Sequence, residues 1–107
     1  MDQQKFNEWL LAIRKVSNSI RVIDNAKKYL GPDSIIEPSD RPAKKYKVYN
    51  PNTNKYIYFG DMRYEDYTQH KDINRQKNYL KRSSKIHGNW KENPYSPNNL
   101  SREILWK

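Results

Sequence analysis

An α+β fold is predicted for this 107-residue chain, on three observations. Apolar residues near the N-terminus recur at helical spacing. Two β-branched and aromatic runs flank a polar loop at the centre. A second helical segment follows the loop, and a tail holding two tryptophans closes the chain. We expect a long N-terminal helix over residues 1–31, an extended linker over 32–43, and a basic aromatic-rich module over 44–107 made of a β-hairpin, a helix and the Trp-containing tail.

The first element is read from Phe6, Trp9, Ile13, Val16, Ile20, Ile23 and Leu30, with Lys27 in the one vacant place. Steps of three and four alternate throughout, which is a heptad seam. A continuous helix from residue 3 to 30 would be roughly 42 Å long. Ser17-Asn18-Ser19, three poor helix formers in a row, is the place where it would break or kink. Gly31-Pro32 ends it. The seam must pack on something: the chain's own domain, a second copy, or another protein. As a protein-docking face it would consist of Phe6, Trp9, Ile13, Val16, Ile20 and Ile23.

Residues 31–43 hold three prolines and three acids without periodicity, and read as extended and solvated, Asp33, Glu37 and Asp40 included. Lys45-Tyr46-Lys47-Val48-Tyr49 and Tyr56-Ile57-Tyr58-Phe59 then form a hairpin around a polar loop. Tyr46 and Val48 alternate with Lys45, Lys47 and Tyr49, giving an apolar face and a basic one. Tyr46, Tyr58, Tyr64 and Tyr67 are expected in the core. The following helix, capped by Asp72 and running to about Ser84, is the nearest cover for the apolar face. On that helix Arg75, Lys77, Lys81, Arg82 and Lys85 share an arc of roughly 160°, away from Ile73 and Leu80. The arc is either a solvated face or a polyanion-binding one. The Pro94-Tyr95-Ser96-Pro97 turn brings Ile104, Leu105 and Trp106 back to complete a core with Phe59, Leu80 and Trp90.

Composition narrows function. Residues 43–107 carry fourteen Lys and Arg against six Asp and Glu, and the whole chain has a formal charge of +9. Nucleic acid, anionic membranes and acidic protein surfaces are the partners such a balance favours. Mean hydropathy is −1.24, so the core is small and leans on the 13% of residues that are aromatic. Cysteine is absent, which excludes disulfides and thiolate metal sites. No run reaches the roughly 20 apolar residues of a membrane span, and the N-terminus lacks a secretory pattern, so we expect a soluble protein made in the cell interior with no membrane partner.

Catalytic groups are not found. His70 and His87 stand in no metal-binding spacing, three glycines make no phosphate-cradling loop, and no nucleophile–base pair can be assembled. Glu65, Asp66, His70 and Asp72 could meet around a metal, but short acidic clusters beside turns ordinarily cap helices. The expectation is a non-enzymatic protein without cofactor. Its polyanion-binding residues would be Lys45, Lys47, Arg75, Lys77, Lys81, Arg82 and Lys85, with tyrosines able to stack on bases where single strands are bound.

Several residues carry a resemblance. Lys45 to Tyr49, Ile57 to Asp61, the string Tyr64-Glu65-Asp66-Tyr67-Thr68-Gln69-His70-Lys71-Asp72, then Arg75, Tyr79, Arg82, Trp90, Asn93 to Pro97, Leu100-Ser101 and Leu105-Trp106 resemble a family of small uncharacterised basic proteins of large DNA viruses and tailed phages. The resemblance covers about residues 44–107 and implies a viral origin. With it, the leading expectation is a virion structural protein, docked on other virion proteins through its N-terminal helix, with the basic module facing an acidic protein surface or packaged genome. Self-association through the same helix is a further option. The alternative is a sequence-independent nucleic-acid-binding protein acting outside the particle during infection.

Overall fold

The computed structural model describes residues 1–107 and shows an α+β fold: five helices and a three-stranded antiparallel sheet. The long N-terminal helix is replaced by two. Helix α1 spans Gln3–Ile13, capped by Asp2, whose carboxylate accepts from the Lys5 N–H at 2.8 Å. Helix α2 spans Ser19–Leu30, capped by the Asn18 side chain and ended by Gly31 at φ +107°. The break falls at the Ser17-Asn18-Ser19 weak point. Its physical reason is a polar knot that takes up the backbone groups a helix would have paired. The Val16 carbonyl accepts from the Asp66 N–H at 2.9 Å and from the Lys45 ammonium at 3.3 Å. The Asn18 N–H donates to the Thr68 hydroxyl at 3.0 Å. Buried Ser17 receives the Tyr46 phenol at 2.9 Å and lies 3.3 Å from the Thr68 hydroxyl.

Because the chain turns at the break, the heptad phase does not carry across it. Ile13 is buried in α1, but α2 buries Val22 and Ala26, with Tyr29 and Leu30 half-buried beside them. Ile20 and Ile23 point outward instead, 82% and 43% exposed.

Residues 32–43, expected as a linker, contribute strand β1, Ile36–Pro38. It pairs antiparallel with β2, Lys44–Asn50, in the register Ile36↔Val48, Glu37↔Lys47, Pro38↔Tyr46. Pro38 is tolerated because β1 is an edge strand. Asp40 is more than a solvated acid, since it accepts the Tyr58 hydroxyl, and that bond lowers its pKa below the usual carboxylate range. Strand β3, Lys55–Asp61, pairs with β2 from Asn50↔Lys55 to Lys44↔Asp61, as the hairpin pattern predicts.

Two short elements follow. Helix α3 is the single turn Tyr67–His70, and α4 spans Ile73–Ser83. The tail makes a 3₁₀ turn at Trp90–Glu92 and then α5, Pro97–Leu100, which continues through Ser101–Leu105 as a π-helical turn. Proline sits in the first turn of α5, where its missing N–H costs nothing, and the Ser96 hydroxyl accepts from the Asn99 N–H at 3.1 Å.

Cover for the hairpin does not come from α4, as the sequence suggested. Leu100, Ile104 and Leu105 of the C-terminal helix lie on Phe59, while Trp9 of α1 packs edge-on against Tyr46 at 5.9 Å. The nine fully buried apolar residues, from Ile13 to Leu105, thus join both N-terminal helices, the sheet and the tail in one cluster. Leu80, Trp90 and Trp106 are only half-buried, and Ile73 is 55% exposed. Gly60 marks the tightest contact. A Cβ there would come within 2.9 Å of Leu105 Cδ1 and 3.0 Å of Lys45 Cβ, and its φ of +83° suits glycine alone.

Candidate polyanion-binding face

Helix α4 is set by its ends. The Asp72 carboxylate accepts from the N–H groups of Asn74 at 2.9 Å and Arg75 at 3.2 Å. Ahead of it Lys71 takes a left-handed conformation, φ +57°, and the His70 Nδ1 accepts from the Asp72 N–H at 2.9 Å. At the other end the Arg102 guanidinium donates to the Leu80 carbonyl at 2.7 Å, and the Asn98 amide to the Ser83 carbonyl at 3.1 Å. A cation at a helix C-terminus is also favoured by the aligned peptide dipoles.

One side of α4 is fastened to the tail. Tyr79 stacks on Trp106 with ring centroids 4.2 Å apart and planes 7° from parallel, and the Gln76 amide donates to the Trp106 carbonyl at 2.8 Å. Burial raises the Tyr79 phenol's pKa. Arg75 and Arg82 flank Tyr79, Lys77 and Lys81 lie on the far side, and Lys85 follows just past the end of the helix, every one exposed. Arg75 lies 3.6 Å from the Glu65 carboxylate. No ion pair in the molecule involves Lys77, Lys81, Arg82 or Lys85. The structure therefore places four of the five predicted residues on α4 and the fifth, Lys85, in the turn just past its end.

The two hairpin lysines are not part of that face. Lys45 is 2% exposed and its ammonium sits 3.1 Å from Asp66, itself 1% exposed. Burial pushes the ammonium's pKa down, while Asp66 opposes that shift. The alternation that assigned Lys45 to an outer basic face fails because that face of β2 is covered, at this position, by the break between α1 and α2. Lys47 lies across the Tyr56 ring at 4.5 Å and 4.0 Å from Asp40.

The predicted docking residues are divided. Ile13 is core, Val16 packs against it, and Trp9 is half-buried with its indole N–H donating to the Lys45 carbonyl at 2.7 Å. Phe6, Ile20 and Ile23 remain exposed.

The string from Tyr64 to Asp72 is a structural corner. Asp66 accepts from both the N–H and the hydroxyl of Thr68 and pairs with Lys45, and Tyr46, whose phenol is pushed up to about 12 by burial, closes the same knot. His70 and Asp72 serve the start of α4. No group of three or more His, Asp or Glu side chains is placed to share a metal ion. Tyr64 departs from expectation. Read as core, it is 61% exposed on the turn after β3.

Residues 35–83 match the model of a family of unknown function, DUF5754. The match spans just under half of the chain, from β1 through α4, and so includes both the Lys45–Asp66 knot and most of the cationic arc. The family's description names no activity and no viral or phage source. No curated protein and no solved structure matches the chain. No helix is long and apolar enough to cross a membrane.

Proposed function

We propose that this chain is a non-enzymatic binding module that lays α4 against a polyanion, nucleic acid being the partner whose chemistry fits best. The observation that carries this is the set of four exposed cations without carboxylate partners, three on α4 and one just past its end, on a helix that is fastened to the tail. Phosphate contacts need only positioned cations. A protein partner would be expected to find buried aromatic or aliphatic anchors, and the outward arc offers none. Sequence-independent binding is the form this takes, since the arc presents point charges and no recognition motif.

The non-enzymatic part rests on where the acid–base candidates are spent. Asp66 is held by Lys45 and Thr68, Asp72 caps α4, and His70 Nδ1 is occupied by a backbone N–H.

The setting we propose is a virion, as the sequence resemblance implies. Phe6, Ile20 and Ile23, still exposed on α1 and α2, would dock on other virion proteins while α4 faces packaged genome. The second reading keeps the same face but places the protein free in the infected cell. Purified particles decide between them, because a chain missing from intact particles leaves only the free form.

The binding claim is tested by replacing Lys77, Lys81, Arg82 and Lys85 together with Gln and measuring duplex DNA binding at low salt. Steep loss of affinity with an unchanged circular dichroism spectrum supports it. Wild-type affinity in that variant overturns it.

A further inference from the structure

Between the Asp61–Glu65 turn and α4 lies a cleft of about 350 Å³, which reaches in to Lys45 and the Tyr79–Trp106 stack. That volume is at the lower end of the roughly 300–1,000 Å³ usual for small-molecule sites, and suits one nucleotide unit better than a larger ligand. The two walls differ. One is the turn, with Asp61, Tyr64 and Glu65. The other is a stripe of α4, Arg75, Asn78 and Arg82, at spacings of three and four that align them along one helix face.

Tyr64 is the unexplained member. Its ring is 61% exposed and pairs with no other aromatic ring, and the Arg63 guanidinium lies 5.3 Å from its centroid. Tyr79 and Trp106, by contrast, spend their faces on each other. The charges are equally uneven. Asp61 is engaged by Arg63 at 2.9 Å, and the resulting ion pair lowers its carboxyl pKa to about 2. Glu65 holds Arg75 loosely, and Arg82 holds no acid at all. A phosphate entering the cleft is repelled by the turn and attracted by the stripe. A base is left against Tyr64, where carboxylates accept hydrogen bonds from amino groups such as that of cytosine.

We propose that this cleft takes a single unpaired nucleotide, its base stacked on Tyr64 and its phosphate on Arg75 and Arg82, so that the protein prefers single-stranded nucleic acid to duplex. The inference rests on the reading of α4 as a nucleic-acid-binding face, and adds the class of nucleic acid. A base in a duplex is stacked and paired and cannot enter, whereas each base of a single strand offers a free π-face.

The test uses the full chain and fluorescence anisotropy, with labelled oligodeoxycytidylate and a duplex of equal length as probes. Wild type should bind the single strand more tightly. Tyr64→Ala should weaken single-strand binding at least about fivefold, the lower edge of base–aromatic stacking, and leave duplex binding unchanged. Tyr64→Phe, which keeps the ring, should bind as wild type. If Tyr64→Ala lowers both affinities equally, or neither, while the fourfold Gln variant still loses duplex binding, the cleft proposal is overturned and the α4 reading stands. If the fourfold variant binds both probes as wild type, the α4 reading falls and this one with it.

Discussion

The Lys45 ammonium lies 3.1 Å from the Asp66 carboxylate in a pair that is 2% and 1% exposed, at the point where the chain breaks between α1 and α2. Charges buried so deeply are costly unless their remaining valences are filled. Here they are: Lys45 also reaches the Val16 carbonyl, and Asp66 also accepts from Thr68. The pair fixes the N-terminal helices, the hairpin and the 64–72 corner relative to one another, and α4 starts from that corner.

Removing one partner should therefore unfold the protein or nearly so. Asp66→Asn or Lys45→Met is expected to cost about 3–5 kcal/mol, the usual consequence of leaving one buried charge unpaired. That is a large share of the roughly 5–15 kcal/mol that holds a small domain. The double variant should recover part of the loss, and urea melts of all four proteins measure the coupling.

Gly60→Ala should destabilise by about 1–3 kcal/mol, because the new Cβ meets Leu105 and Lys45 at or below 3.0 Å with backbone that only glycine adopts comfortably. The same change at Gly31, where nothing lies within 4 Å, meets only the backbone penalty. Thermal melts of the two variants should differ in that order.

Trp106→Ala should cost about 3 kcal/mol, the low end for a large aromatic, since the ring is half-buried. Its loss removes the partner of Tyr79, so amides of α4 should exchange faster than those of β2. Equal protection in both elements would show that Arg102, Asn98 and the Gln76 bond to the backbone of residue 106 hold α4 without the ring stack.

His70 gives the fold a pH dependence. Its Nδ1 accepts from the Asp72 N–H, its Nε2 is buried with no hydrogen-bond partner, and the ring lies 5.2 Å from that of Trp106. Burial first, then the Arg75 charge, lowers its pKa below 6.5, against the opposing pull of Glu65, Asp72 and Asp66. The unfolded chain thus takes up this proton at higher pH than the native one. The contribution is complete above about pH 6.5 and is lost as pH falls through the native pKa. Urea midpoints of wild type should drop more steeply below pH 6.5 than those of His70→Gln; parallel curves would remove His70 from the account.

Much of this fold is legible in the sequence where local pattern and tertiary structure agree. The hairpin follows from two aromatic β-branched runs, α4 from its Asp72 cap and opposed faces, and the helix break from Ser17-Asn18-Ser19. What was not legible depends on partners distant in sequence. Strand β1 is three residues long with a proline in it, and exists only because β2 pairs with it. Lys45 reads as a surface lysine because the acid that buries it is 21 residues away. Seam residues Ile20 and Ile23 read as partners of Ile13 only if the helix is unbroken. The arc of α4 was readable because a helix wheel needs no tertiary information, and Tyr64 was not, because nothing local distinguishes an exposed tyrosine from a buried one.

The central claim is that Lys77, Lys81, Arg82 and Lys85 contact phosphates, and the salt dependence of duplex DNA binding tests it most directly. Replacing all four with Gln should leave stability nearly unchanged, since surface substitutions usually stay within about 0.5 kcal/mol each. With about 0.9 lost per phosphate contact, the slope of log K against log salt should become shallower by about 3.6 in the variant. Equal slopes for variant and wild type would contradict the account and leave the arc a solvated helix face.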